Sequence, residues 1–223
     1  MASSPSKQPP RREDRRRART RTALIGAGQK LFADNHIDGV TIDEIVDAAD
    51  VAKGSFYNHF EDKESLADTI VELVQGDCER EIYTANQDIE DAAVRMARAM
   101  MTLIRYAQEH PDRYHAMVNL TERRAHIDSP LNAGLRHDIK HGLVSGVFTD
   151  MSVEGGMLAA FGAISTAIDY LASATRAGEP GRMAREMGFV MLRALGVPAN
   201  DARSIASTAA GELLGAKAPR QGK

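Results

Sequence analysis

The sequence predicts an all-α protein, with a small N-terminal helical domain and a larger C-terminal helical bundle. Two observations lead to this fold class. Apolar residues recur at the spacing of amphipathic helices, and no stretch shows the alternation that is typical of a strand. The composition is also helical, because the 223 residues include 10 Met but only 5% aromatic residues and no Trp. We expect about nine or ten helices in total.

The composition indicates in which cellular compartment the protein is expected. The single Cys cannot form an internal disulfide, which is typical of a reducing cytoplasm. No apolar run approaches the roughly 18 residues needed to cross a bilayer. The N-terminus also lacks the apolar segment of a secretory signal. We therefore expect a cytoplasmic protein without a membrane partner.

Charge is unevenly distributed along the chain. The net charge of −3 argues against general affinity for nucleic acid. Residues 1–24 nevertheless hold eight Lys or Arg and two acidic residues, so they carry +6 and the remainder carries −9. Residues 1–14 are predicted to be a disordered basic arm. Residues 11–21 either follow DNA phosphates or a minor groove, or form only a solvated run of charge.

The first helix is predicted over residues 15–35 because apolar residues fall on one face of it. These residues are Ala23, Ala27, Leu31 and Phe32. Gly39 then marks a turn before the next helix.

Residues 41–63 carry two short helices joined by a turn. Thr41 is followed three residues later by Glu44, the capping-box pattern that begins a helix, and apolar residues at helical spacing follow. After a tight turn at residues 49–51, residues 52–59 are predicted to form the second helix. This arrangement predicts a helix-turn-helix, whose second helix enters the major groove of DNA.

The same segment closely resembles the DNA-binding domain of the TetR (tetracycline-repressor-like) transcriptional regulators. The resemblance covers residues 21–66. It rests chiefly on Lys-Gly-Ser-Phe-Tyr-Asn-His-Phe at residues 53–60, followed by Asp-Lys at residues 62–63, which generic helix-turn-helix sequences lack. We accordingly divide the chain into a disordered basic arm (1–14), a three-helix helix-turn-helix DNA-binding domain (15–62), a ligand-binding and dimerisation domain (63–214) and a flexible tail (215–223).

The resemblance implies which side chains contact DNA. Lys53 and Ser55 would reach base edges in the groove. Tyr57 and His59 would hold phosphates, and Asn58 could do either. The full set of predicted contacts is Thr41, Lys53, Gly54, Ser55, Tyr57, Asn58, His59 and Lys63.

The other three residues of this set have different expected roles. Gly54 allows the protein backbone to approach DNA closely, although it weakens the helix. Thr41 and Lys63, at the starts of neighbouring helices, would clamp the DNA backbone. Phe56 is the predicted core anchor of the second helix. The alternative to DNA contact is a solvated polar helix face.

The remaining helices are predicted from apolar periodicity and from Pro and Gly stop signals. A fourth helix begins at residues 61–63 and contains Cys78. The later helices are predicted over residues 89–110, 113–124, 128–148, 153–177, 182–195 and 201–214. A loop over residues 178–181 separates the eighth helix from the ninth.

The resemblance implies a homodimer in which helices eight and nine of both copies form a four-helix bundle. The apolar stripes that fit this role are Phe161, Ile164, Ile168, Met183, Met187 and Met191. The same stripes could equally be internal core. A twofold-symmetric protein would require a near-palindromic double-stranded DNA operator.

The region from helix five to helix eight is expected to enclose a small, partly apolar effector. The candidate lining residues are Met100, Leu103, Tyr114, Met117, Phe161 and Tyr170. Met-rich walls adapt to varied apolar ligands, but ordinary core packing is the alternative for each residue. Because the fourth helix joins this region to the helix-turn-helix, effector binding is expected to change the spacing of the two recognition helices.

Histidines and the cysteine offer other chemistry. His137 and His141 have i, i+4 spacing, but a metal site needs a further ligand, and His110, His115 and His126 lie elsewhere in the sequence. We predict solvated histidines and no metal or cofactor. Cys78 is predicted to be a buried apolar-like residue, with redox sensing as the alternative.

The leading hypothesis is a homodimeric repressor that a small-molecule effector releases from its operator, and not an enzyme. One alternative is an activator or a DNA-organising protein without an effector. A remote alternative is a His-dependent metal hydrolase, which only the spacing of His137 and His141 favours.

Overall fold

The computed structural model describes residues 12–121, 132–173 and 180–215. These residues form ten α-helices and one short 3-10 helix, Ile37–Gly39, and none of them lies in a strand. The α-helices are α1 (Arg12–Asp34), α2 (Ile42–Ala48), α3 (Lys53–Tyr57), α4 (Lys63–Ala85), α5 (Ala92–Glu109), α6 (Pro111–Thr121), α7 (Ala133–Val144), α8 (Val153–Ser173), α9 (Pro180–Ala194) and α10 (Ala199–Leu214). The predicted fold class is confirmed.

Several helix ends differ from the prediction by a few residues, and two of these differences affect the assignment. Helix α1 begins at Arg12, so residues 12–14, which the sequence assigned to a disordered arm, are helical. Helix α7 ends at Val144 instead of continuing to Phe148, because Gly146 takes a positive φ of 74° and reverses the chain. The Phe148 N–H then donates to the Gly142 carbonyl at 2.9 Å.

Several predictions lie outside the described residues. They are residues 1–11 of the arm, the end of the sixth helix at residues 122–124, the start of the seventh helix at residues 128–131, the end of the eighth helix at residues 174–177, residues 178–179 of the loop, and residues 216–223 of the tail. Residues 180–181 of the predicted loop are described and form the start of α9 instead.

The DNA-binding domain packs α1, α2 and α3 around one apolar core. Leu24, Phe32, Ile45 and Phe56 are all fully buried there. Helix α2 begins with the predicted capping box, in which the Glu44 N–H donates to Thr41 Oγ1 at 3.2 Å and the Thr41 N–H donates to Glu44 Oε2 at 2.8 Å. The hydrogen bond from the Thr41 N–H, and a second from the Thr41 hydroxyl at 2.8 Å, hold the pKa of Glu44 below its usual value. Local sequence therefore fixes where α2 begins.

The C-terminal domain is built around α5, which contacts α4 and each of α6 to α10. The α5 face toward the core is rich in methionine, with Met96, Met100 and Met101 buried. Arg95 on α5 donates from Nε to Asp138 on α7 at 2.8 Å, with Asp138 buried. The core therefore combines adaptable apolar side chains with one oriented ion pair.

Two helices link the domains. Helix α4 begins directly after the helix-turn-helix with a second capping box, in which Asp62 accepts from the Ser65 N–H at 2.7 Å. Helix α6 lies along α1, and Asn119 donates from Nδ2 to the carbonyls of Phe32 at 3.0 Å and Ala33 at 2.9 Å. Both helices therefore contact the N-terminal helices directly.

Candidate nucleic-acid interface

The turn between α2 and α3 is tight and has a defined geometry. Asp50 takes a positive φ of 53°, and the Val51 N–H donates to the Val46 carbonyl at 3.0 Å. Asp is one of the few non-glycine residues that tolerate this conformation. The turn sets α3 at an angle to α2, as the helix-turn-helix requires.

Helix α3 is anchored by one aromatic side chain. Phe56 is 0% exposed, and its ring centroid lies 5.7 Å from that of Phe60, as predicted for the core anchor. With Phe56 inward, Lys53, Tyr57 and Asn58 are exposed, while Ser55 and His59 are half-buried. Helix α3 ends at Tyr57 instead of the predicted residue 59, so Lys53, Ser55 and Tyr57 lie on it while Asn58 and His59 follow it. All five side chains are at least partly accessible.

Lys53 is already paired within the motif. Its Nζ lies 2.7 Å from Oδ1 of Asp43 in the first turn of α2, and both side chains are exposed. The hydrogen bond and charge of Asp43 raise the pKa of Lys53, so the side chain remains an ammonium. Sequence reasoning missed Asp43. Its position in the first turn of the preceding helix, across the turn from Lys53, is the signal that could have revealed it.

Thr41, Gly54 and Lys63 occupy different environments. Thr41 and Gly54 are exposed, and a Cβ added at Gly54 would meet nothing within 4 Å. Lys63 is half-buried and donates from Nζ to the Val40 carbonyl at 2.9 Å, which ties the start of α4 to the start of α2. Gly54 therefore leaves open space over α3, and Lys63 connects the start of α4 to the segment before α2.

The basic half of α1 lies beside the end of α3. The guanidinium of Arg21 sits 5.3 Å from the ring centroid of Phe60. Burial, and then the positive charges of Arg17 and Arg21, lower the pKa of His59. The side chains of residues 12–19 are exposed, so α1 extends the positive surface of the motif as an ordered helix.

The predicted pocket residues have different environments in the described part of the C-terminal domain. Met100 and Tyr114 are buried in the core, Leu103, Met117 and Phe161 are half-buried, and Tyr170 is exposed. An open cleft of about 630 Å³ lies elsewhere in the domain. It is lined by Asp77, Arg80, Glu81, Thr84, Ala85, Arg105, Tyr106, His110, Arg113 and Leu213, none of which was predicted.

The predicted dimer stripes are divided between core and surface. Ile164, Ile168 and Met191 are buried within the protomer, so they are core residues and not a surface for a second copy. Apolar residues extend around much of α8, and on α9 they cover an arc wider than its buried face, so the stripes read from the sequence joined buried and exposed positions. Phe161, Met183 and Met187 are partly exposed, and the large exposed apolar residues on α8 and α9 are Leu158, Tyr170 and Val190.

The candidates for other chemistry have ordinary environments. His137 and His141 are exposed and stack with ring centroids 6.4 Å apart. In the described ranges no three His, Cys, Asp or Glu side chains form a group that could hold a metal, and His126 lies outside them. Cys78 is buried, and burial raises the pKa of its thiol to about 12, which keeps it protonated.

Comparisons with known proteins agree with this geometry. Residues 24–70 match the family model described as "Bacterial regulatory proteins, tetR family", and residues 87–208 match "Tetracyclin repressor-like, C-terminal domain". The HTH-type transcriptional repressor DhaR of Mycobacterium sp. (strain GP1) is 34% identical over 84 residues. That match covers 38% of this chain and 41% of DhaR, which is less than half of the relative's length.

Solved structures extend the similarity over most of the chain. RolR in complex with resorcinol is 27% identical, with a TM-score of 0.59 over 87% of this chain and 96% of RolR. A TetR family transcription regulator from Marinobacter aquaeolei VT8 has a TM-score of 0.71 over 82% of this chain and 98% of its own, and its 18% identity supports the fold alone.

None of the described helices is long and apolar enough to cross a membrane. The helix-turn-helix geometry, the exposed polar face of α3 and two family matches that together reach from residue 24 to residue 208 lead to one assignment. The chain belongs to the TetR family, whose members are DNA-binding transcription regulators and not enzymes.

Proposed function

We propose that two copies of this chain act in the cytoplasm as a repressor, bind a near-palindromic operator, and release it when a small effector binds the C-terminal domain. The observation that carries this proposal is the accessible polar face of α3 beside the basic half of α1. DhaR, which the chain resembles in part, is named a repressor, and RolR was solved with resorcinol bound.

Base recognition belongs to the exposed surface of α3. Lys53 and Ser55 reach base edges, while Asn58 reaches either a base or a phosphate. The Lys53 ammonium leaves Asp43, or shares it, when it meets an acceptor on guanine. Because Lys53 exchanges the Asp43 carboxylate for an acceptor on guanine, the net gain in binding free energy is modest. A base that offers no acceptor at this position lowers the affinity.

Phosphate contacts surround this surface. Tyr57 and His59 hold one part of the DNA backbone, and Thr41 and Lys63 hold another from the starts of α2 and α4. Arg17 and Arg21, which lie near His59, extend the contacts along α1. The positive charge of these contacts makes operator affinity fall with increasing salt.

A second copy of the chain docks on α8 and α9. Leu158, Tyr170 and Val190 give these helices exposed apolar surface that a dimer would bury. A twofold axis through this surface places two α3 helices in successive major grooves, which is why the operator is near-palindromic.

Release is transmitted through α4 and α6. Both helices run from the C-terminal domain to direct contacts with the DNA-binding domain, at Lys63 and at Asn119. An effector that binds better when either helix has shifted favours a spacing of the recognition helices that no longer fits the operator.

Selection from random duplex DNA, followed by footprinting, tests the proposal. We expect a single palindromic site and roughly tenfold weaker binding by Lys53→Ala, with relaxed preference at the contacted base. Lys140→Ala, an exposed lysine on α7, is the matched control and leaves binding unchanged. Binding that coats DNA without sequence preference contradicts the repressor and favours a DNA-organising protein.

A further inference from the structure

The open cleft of the C-terminal domain is built by four helices. Helix α4 contributes Asp77 and Glu81, α5 contributes Tyr106, α6 contributes Arg113, and α10 contributes Leu213. The volume of about 630 Å³ lies within the range of small-molecule sites.

Charged groups of the cleft are paired with one another. Asp77 accepts from both Arg80 and Arg113, and Glu81 accepts from Arg105 at 3.3 Å. The lining therefore has three guanidinium groups against two carboxylates, which leaves one excess positive charge. Such a balance favours an anionic ligand.

Tyr106 presents an unpaired hydroxyl to this cleft. The residue is 1% exposed, and its buried hydroxyl has no hydrogen-bond partner. Burial raises the pKa of Tyr106, so the hydroxyl keeps its proton and can donate. A buried hydroxyl without a hydrogen-bond partner is energetically unfavourable, and a ligand that supplies an acceptor would remove this cost.

Arg113 presents a second unpaired donor. Its Nε is buried without a partner, although the same guanidinium holds Asp77. Arg113 and Tyr106 line the same cleft, from α6 and α5. An Arg Nε–H only donates, so an acceptor oxygen is what this pair requires.

We propose that the cleft binds a small organic acid whose carboxylate accepts hydrogen bonds from the Tyr106 hydroxyl and the Arg113 Nε–H, with the rest of the molecule against Leu213 and Ala85. A carboxylate offers only acceptors and matches the excess positive charge. The inference rests on the proposed function, because this acid is then the effector or a close analogue of it.

Occupancy of the cleft bears on the DNA-binding domain. The carboxylate bridges α5 and α6, and α6 holds the end of α1 through Asn119. A ligand that draws Arg113 toward Tyr106 therefore acts on the same helix that contacts α1.

The test uses the full chain and a short panel of probes: acetate, phenylacetate and decanoate, each with its uncharged amide. Binding is measured by calorimetry and ligand-observed NMR. We expect at least one acid to bind, and its amide to bind at least about tenfold more weakly. Tyr106→Phe and Arg113→Lys each weaken the acid by about tenfold or more. Tyr83→Phe, which removes an exposed tyrosine hydroxyl outside the cleft on α4, leaves binding unchanged.

Thermal melting separates ligand loss from misfolding. Tyr106→Phe without ligand should melt at the same or a higher temperature, because it removes a buried hydroxyl that has no partner. A lower melting temperature would show that the hydroxyl is satisfied and would overturn the inference. Equal affinity for acids and amides, or unchanged affinity in both cleft variants, would also overturn it.

Operator binding by the same preparations separates this inference from the proposed function. If no acid binds while a palindrome is still recognised, the cleft inference fails and the repressor stands. If an acid binds through Tyr106 and Arg113 yet operator affinity does not change, the cleft inference holds and effector release through it is contradicted.

Discussion

The two domains of this protein carry function in different ways. The DNA-binding domain displays polar side chains on α3, a helix of five residues anchored by one buried phenylalanine. The C-terminal domain places its polar groups between long helices, in a cleft lined by residues of α4, α5, α6 and α10. Local sequence therefore specifies the polar surface of α3, whereas the packing of distant helices specifies the cleft of the C-terminal domain.

The largest expected effect tests the anchor of α3. Phe56→Ala should lower the free energy of unfolding of the DNA-binding domain by about 3–5 kcal/mol, because it removes a fully buried ring. Tyr57→Ala is the matched control, since Tyr57 is its neighbour and is 54% exposed. It should change stability by less than about 0.5 kcal/mol and weaken only operator binding.

Urea unfolding and operator titration of both variants provide the measurement. Similar stability losses for Phe56→Ala and Tyr57→Ala would show that α3 is packed on both faces. That result would contradict the proposal that one face of α3 is accessible for DNA recognition.

What could be read from the sequence follows the same division. The capping box at Thr41 and the inward Phe56 depend on residues within a few positions of each other, and both predictions are confirmed. The pairing of Lys53 with Asp43 and the approach of Arg21 to Phe60 depend on how helices cross, so sequence reasoning missed them.

In the C-terminal domain, the sequence predicted the helices but not which side of each helix packs against the rest of the protomer. Apolar residues extend around much of α8, and the apolar arc of α9 is wider than the face that it buries, so only packing decides that Ile168 and Met191 are covered. The cleft escaped prediction for another reason. Asp77, Tyr106 and Arg113 come from three helices, and isolated charged or polar residues carry no periodic signal.

The second prediction concerns packing in the C-terminal domain. A Cβ at Gly142 on α7 would clash with the ring of Phe148, which folds back onto this position. Gly142→Ala should therefore destabilise the protein by about 1–3 kcal/mol. Gly134→Ala on the same helix meets nothing within 4 Å and should stabilise it by up to about 1 kcal/mol.

Thermal and denaturant unfolding measure the change in the free energy of unfolding for each alanine variant. The two changes have opposite signs if α7 is packed as described. Stabilisation by both substitutions would mean that Phe148 does not cover Gly142 and that the chain after α7 takes another course.

The third prediction returns to α3 and separates stability from recognition. Gly54→Ala should increase stability by up to about 1 kcal/mol, since the added methyl group meets nothing within 4 Å and alanine favours the helix. Operator affinity should nevertheless fall several-fold, about 1 kcal/mol, because the methyl group occupies the space that DNA approaches. Gly26→Ala on α1 also meets nothing and should gain stability without any change in affinity. If Gly54→Ala binds its operator normally, the DNA backbone does not come close to this part of α3.

The smallest expected effect is a dependence of operator affinity on pH. In the free protein, burial and the charges of Arg17 and Arg21 lower the pKa of His59, so its imidazole is neutral near pH 7. A DNA phosphate beside His59 raises that pKa, so binding takes up a proton between the two pKa values. Affinity should therefore increase as pH falls, by about threefold between pH 8 and pH 6. His59→Gln should abolish this increase, whereas His137→Gln, at an exposed position on α7, should retain it. A pH dependence that survives in His59→Gln would show that another group takes up the proton and would contradict a phosphate contact by His59.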